Sequence, residues 1–150
     1  MNFIKVLYAP VVFTDRVMDW ISPWFLLGLR VYVANVFFKS GLTKIQDFSS
    51  TVALFESEYK VPFISPTLAA LSGTAAELIL PALLVLGLAS RPVALVLFVF
   101  NIVAVISYSD ISESGVKDHM LWGTMILVVA FFGPGRFSID EWLKSRFAAR

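Results

Sequence analysis

Apolar residues in this chain fall into blocks too long for the core helices of a small soluble domain. The clearest block, Pro66 to Ala89, carries a single charged side chain, Glu77, close to its middle. A helix needs about 20 residues to cross the apolar core of a bilayer, so the block reads as a membrane span at about 66–89. Three further blocks give spans at about 24–43, 92–108 and 117–132. The Ser90-Arg91-Pro92 link is so short that the second and third spans must form an antiparallel hairpin. The fourth block is short if it starts at His119. It must then thin the bilayer, or begin earlier with its polar residues turned inward. It stops at Gly133-Pro134-Gly135.

The segments between the spans are amphipathic. In residues 1–23, Phe13, Val17 and Trp20 recur at helical spacing while Asp15 and Asp19 share another face. This predicts an amphipathic helix, lying in the membrane interface or packed on the end of the bundle, with Pro23 opening the first span. Pro10 and the charges that follow it interrupt any signal-peptide core. Between Gln46 and Ser65, Val52, Phe55 and Tyr59 share a face and Glu56, Glu58 and Lys60 oppose it. A short helix in this first extracytoplasmic loop is expected to cover one mouth of the bundle. Residues 133–150 form a basic amphipathic tail in which Phe137, Ile139 and Trp142 can touch the interface. The expected fold is all-α: one integral membrane domain over 1–150, an antiparallel four-helix bundle. With both termini cytoplasmic, that side holds seven basic residues (Lys5, Arg16, Arg91, Arg136, Lys144, Arg146, Arg150) against three opposite (Lys44, Lys60, Lys117), as the positive-inside rule requires.

Composition supports the membrane reading and removes several chemistries. Of 150 residues, 58% are hydrophobic and 15% charged, against about 25% charged in soluble domains; mean hydropathy is +0.80. A net charge of +1 gives no nucleic-acid footprint. The absence of cysteine excludes disulfides, thiol catalysis and cysteine-ligated clusters. One histidine, His119, argues against a haem or metal site held by a single chain.

Several spaced residues, taken in order, carry a family resemblance. They are Arg30 and Phe37-x-x-x-Gly41-x-x-Lys44 in the first span, and Gly73-x-x-x-Glu77 in the second. Gly87-Leu88-x-Ser90-Arg91 follows at the hairpin, and Gly133-Pro134-Gly135-x-x-Ser138-x-Asp140 after the fourth span. From about Leu26 to Leu143 the chain resembles the DoxX family of small bacterial four-helix membrane proteins. Leu121-Trp122-Gly123 is most similar to members that accompany peptide-modifying iron enzymes. The resemblance implies a multi-pass protein of the bacterial inner membrane. It also implies quinone-linked redox work with a protein partner, in a sulfur, metal or oxidative-stress pathway. The other function consistent with the chain is a non-enzymatic one: an anchor, an assembly factor, or a component of small-solute or metal transport. A homo-oligomer is as compatible with the sequence as a different partner.

Intramembrane charges are where such chemistry would reside. Arg30, Ala34, Phe37, Gly41 and Lys44 fall on one inward face of the first span. At about 1.5 Å per residue, Arg30 lies ~9 Å in from Trp24, Glu77 ~18 Å from Ala89 and Asn101 ~14 Å from Pro92. The expectation is an Arg30–Glu77 pair with Asn101 beside it. The pair either fixes helix register, or lines a pocket that binds a headgroup or passes a proton. Gly73 lets a neighbouring helix approach Glu77. Lys39, Lys44, Asp47, Tyr108, Asp110, Asp118 and His119 form a second layer, read as a solvated rim or as the mouth of a quinone or small-anion site. The candidate catalytic residues are Glu77 and Arg30; the candidate binding residues are Arg30, Phe37, Gly41, Lys44, Gly73, Glu77, Asn101 and His119.

Overall fold

Each apolar block becomes one helix, and the turn chemistry decides where it stops. The computed structural model describes residues 3–147, with side-chain surroundings from residue 8 onward. Residues 1–2 and 148–150, and with them Arg150 of the charge count, lie outside the described residues. The helices are α1 (Phe3–Gln46), α2 (Phe48–Ser57), α3 (Pro66–Leu86), α4 (Ser90–Ser107), α5 (Glu113–Phe132) and α6 (Ile139–Phe147). Four of them, α1, α3, α4 and α5, are long and apolar enough to cross a membrane. The chain is the all-α four-span bundle its sequence predicts.

Pro66 opens α3 after Ser65, whose hydroxyl accepts from the Leu68 amide at 3.4 Å. The helix ends before Gly87, whose φ of 68° suits a residue without a Cβ. This span is therefore shorter than 66–89, and α4 begins at Ser90 rather than Pro92. The fourth span resolves by starting early: Ser112 caps α5 by accepting from the Gly115 amide at 3.1 Å. Its first-turn charges do not turn inward. Glu113 and Lys117 pair in the open, 2.7 Å apart.

α1 differs most from expectation. The helix start predicted at Pro23 is not formed, because α1 runs unbroken through Pro10 and Pro23. A proline inside a helix removes one backbone hydrogen bond. Here packing overrides that loss: Pro23 is buried against the Gly135 turn, and the next ring, Trp24, lies 4.4 Å from Phe137. With 44 residues, α1 is roughly 66 Å long at 1.5 Å per residue, well beyond the ~30 Å apolar core.

α1 packs against α3 and α5, α4 packs against the same two, and α2 lies on α3. The central core is Val33, Phe37, Leu84, Leu97, Ile126 and Val129. A second cluster, Phe55 with Ala69 and Ala70, seats α2 on the start of α3. The outward faces remain apolar, as Leu71, Ile79, Val99 and Phe131 are exposed. Lipid is the medium that such a surface requires.

Candidate functional site

The Arg30–Glu77 pair predicted from helix depth is not formed. Glu77 instead meets Lys44. The Lys44 ammonium donates to both Glu77 carboxylate oxygens, at 2.8 and 2.7 Å, and to Ser40 Oγ at 2.8 Å. Ser40 Oγ in turn donates to Glu77 Oε1 at 3.2 Å. The physical reason lies in side-chain direction. A helical Cα–Cβ bond tilts toward the helix N-terminus. Gly41 lies level with Glu77 and Leu78, where a Cβ would come within 3.1 Å of the Glu77 Cβ. Lys44 starts ~4.5 Å beyond that level and leans back to it; Arg30 starts ~16 Å before it and leans away.

Arg30 belongs to the opposite end of α3. It is wholly buried. Its Nη1 donates to the carbonyls of Leu84 (3.3 Å) and Val85 (3.1 Å), and its Nη2 to that of Phe137. Leu84 and Val85 lie in the last turn of α3, where carbonyls lack helical partners, although Leu84 O also accepts from the Gly87 amide at 3.2 Å; the third carbonyl comes from the tail. Gly87 must be glycine, since a Cβ there would overlap Ser138 and the Arg30 guanidinium. Asp140 completes this end by accepting from the amides of Ala89 (2.8 Å) and Ser90 (2.7 Å), the first turn of α4. Burial pushes the Asp140 carboxyl up. The Ser90 and Ala89 amides and the nearby Lys144 outweigh it and hold it below the ordinary carboxylate range.

Asn101 does not reach Glu77 either. Its Nδ2 donates to the His119 carbonyl at 3.0 Å, and its Oδ1 meets His119 Nδ1 at 2.8 Å. The His119 ring stands edge-on to Trp122, 4.8 Å away.

Two cavities flank the Lys44–Glu77 pair. The larger, about 280 Å³, lies between α2, α3 and α4. It is lined by Phe55, Tyr59, Gly73, Ala76, Phe100 and Val103, and Lys44 and Glu77 supply its charge. The second is a chamber of about 190 Å³ on the α1–α5 side, lined by Phe37, Ser40, Tyr59, Tyr108, His119 and Trp122 with the same ion pair. An aromatic stack closes the mouth. Phe55 and Tyr59 lie 4.5 Å apart, and Tyr59 and Tyr108 4.9 Å apart. Lys60 N donates to Ser107 O at 2.8 Å, tying the α2–α3 loop to the end of α4. Burial raises the Tyr59 phenol, with the Glu77 charge adding to it. The expected cover over one mouth is thus α2 and its following loop.

Of the predicted residues, Lys44, Glu77, Gly73, Phe37 and His119 gather around these cavities, and Gly41 admits α3 beside them. Arg30 sits apart, and Asn101 acts through His119. Sequence reasoning missed Ser40, gave Tyr59 only to the covering segment, and had Tyr108 in the second polar layer without its contact to Tyr59. Ser40 precedes Lys44 by one helical turn, the spacing at which helix side chains meet. The Tyr59–Tyr108 contact joins loops distant in sequence and leaves no local signal. Among the described residues no group of three or more His, Asp or Glu could hold a metal.

A model of the DoxX family matches residues 25–110. The chain is also 34% identical over 130 residues to inner membrane protein YphA of Escherichia coli (strain K12), covering 79% of this chain and 90% of the relative. No solved structure matches.

Proposed function

The chain belongs to the DoxX family, and from that premise we propose that it is a bacterial inner-membrane subunit that binds a quinone in the cavity beside Lys44 and Glu77. The observation that carries this reading is the character of that cavity. It is apolar and aromatic-walled, with one tightly knit polar group at its side. At about 280 Å³ it is just below the roughly 300–1,000 Å³ usual for drug-sized ligands. That volume suits a single ring, with any hydrocarbon tail left to the lipid.

The ion pair also discriminates between ligands. All three ammonium protons of Lys44 are engaged and Glu77 cancels its charge. An anionic headgroup therefore finds no free cation, whereas a neutral ring with carbonyl oxygens needs none. The residues fit such a group. Lys44 can exchange its bond to Ser40 for one to a carbonyl, Glu77 can hold or release a proton at Oε, and Phe55 and Phe100 exclude water. A bound quinone supplies the capacity to take up two electrons with two protons and to return them. The electrons come from a partner redox protein, since this chain has no cysteine and no cluster of metal ligands among its described residues.

Mass spectrometry of the organic extract from gently purified protein tests the reading. Quinone near one per chain, depleted in a folded Glu77→Gln variant, is the expected result. Its absence across several mild detergents would instead favour the anchor or transport role.

A further inference from the structure

The chamber on the α1–α5 side of the ion pair has no part in holding the ligand proposed above. Its walls are more polar than those of the quinone cavity. Lys44 and Ser40 reach it from α1, Glu77 from α3, Tyr59 from the α2–α3 loop, Tyr108 from the end of α4 and His119 from α5. Asp118 is the neighbouring charge on the histidine's own helix.

The hydrogen bonds of Asn101 fix the state of this histidine. The His119 carbonyl can only accept, so the Asn101 atom facing it is the amide nitrogen. The atom facing ring Nδ1 is then the amide oxygen, which also only accepts. Neutral His119 therefore carries its proton on Nδ1, and the lone pair is left on Nε2. Asn101 serves here as a positioning residue. The chamber, about 190 Å³, has room for roughly six waters at ~30 Å³ each in the liquid.

We propose that this chamber is the proton route to Glu77 from the α2 side of the membrane, with His119 as its relay. This rests on the reading that Glu77 exchanges protons with a ligand. In the relay, a hydronium ion entering from the α2 side gives its proton to His119 Nε2, leaving water and forming the imidazolium. That proton then passes through chamber water to a Glu77 Oε atom, and the imidazole returns to neutral. The quinone cavity and the proton route share the Lys44–Glu77 pair, with Tyr59 and Ala104 also between them, so the ligand and the proton reach the same carboxylate from two cavities.

The test uses the full chain in lipid vesicles. A light-triggered pH jump is followed by time-resolved infrared spectroscopy of the carboxyl band that disappears in Glu77→Gln. His119→Gln keeps a donor toward Asn101 but cannot titrate, and protonation of Glu77 should slow at least about a hundredfold, the lower end for a lost acid–base group. A rate unchanged in His119→Gln, or no titrating band at all, would overturn the relay.

A second measurement does not depend on how that variant folds. The natural chain has no cysteine, so Val36→Cys in the chamber and Ala76→Cys in the quinone cavity are single reporters. A water-soluble thiosulfonate should modify Val36→Cys at least about tenfold faster, because thiolate forms where water reaches. Equal rates, or the reverse order, would overturn the water-filled chamber. Quinone retained alongside an unaffected protonation rate would defeat the relay alone. Quinone absent with the relay intact would defeat only the earlier reading.

Discussion

Arg30 and Lys44 stand on the same helix and on nearly the same face, yet they are used in opposite ways. Arg30 is fully buried and its guanidinium is bound by main-chain carbonyls of Leu84, Val85 and Phe137. With Gly87, Ser138 and Asp140 it fastens the α3–α4 hairpin to the tail, and neither cavity beside the ion pair is lined by it. Lys44 instead meets a carboxylate, and their pair is a wall of both cavities. A buried charge satisfied by backbone has nothing to exchange. A buried charge satisfied by another titratable group beside open space has a proton to move. The comparison separates a cluster that closes on the backbone from one that borders two cavities.

The largest effect is expected at the second cluster, when it is broken on one side only. Glu77→Ala leaves Lys44 charged and unpaired and should cost about 3–5 kcal/mol, while replacing both partners with apolar residues of similar size, Lys44→Met with Glu77→Leu, should be close to neutral. Thermal unfolding in detergent compares the two. A double variant as unstable as the single one would mean that the pair is structural, like the Arg30 cluster.

Gly87→Ala comes next. It places a side chain at φ 68° and against Arg30 and Ser138, and should cost roughly 1–3 kcal/mol from backbone strain alone. The same assay reads it, and quinone content per folded chain should be unaffected.

The smallest effect is expected at Asp140. Asp140→Asn weakens a helix cap and should cost about 1 kcal/mol. Its pH dependence has a definite sign. The folded-state carboxyl sits below its ordinary value, so its stabilisation is complete above the unfolded value of about 3.9. It is lost as pH falls below that through the folded value. Protease cleavage of the tail should therefore rise below about pH 4 in the wild type, with a smaller change in Asp140→Asn. An equal rise in both would remove Asp140 from the clasp.

The spans were legible because bilayer thickness dictates a long apolar block, and the hairpin because Ser90-Arg91-Pro92 leaves no slack. α2 was legible from the shared face of Val52 and Phe55. The helix break at Pro23 was misread because packing against Gly135 and Phe137, more than 100 residues away in sequence, decides it. The partner of Glu77 was misread because Cα depth alone ignores the N-terminal lean of side chains, which carries Lys44 toward Glu77 and Arg30 away. Asp140 stands in the motif after the fourth span, but its bond to Ser90, 50 residues distant, leaves no local signal. The gathering of Tyr59, Tyr108 and His119 around one chamber likewise depends on three separate segments meeting.

The most direct test of the central claim is quinone content in the Lys44→Met, Glu77→Leu double variant, measured beside its unfolding temperature. The account predicts a chain that unfolds near the wild-type temperature and carries little or no quinone. A double variant that keeps the wild-type quinone content would contradict it, because the ion pair would then have no part in binding.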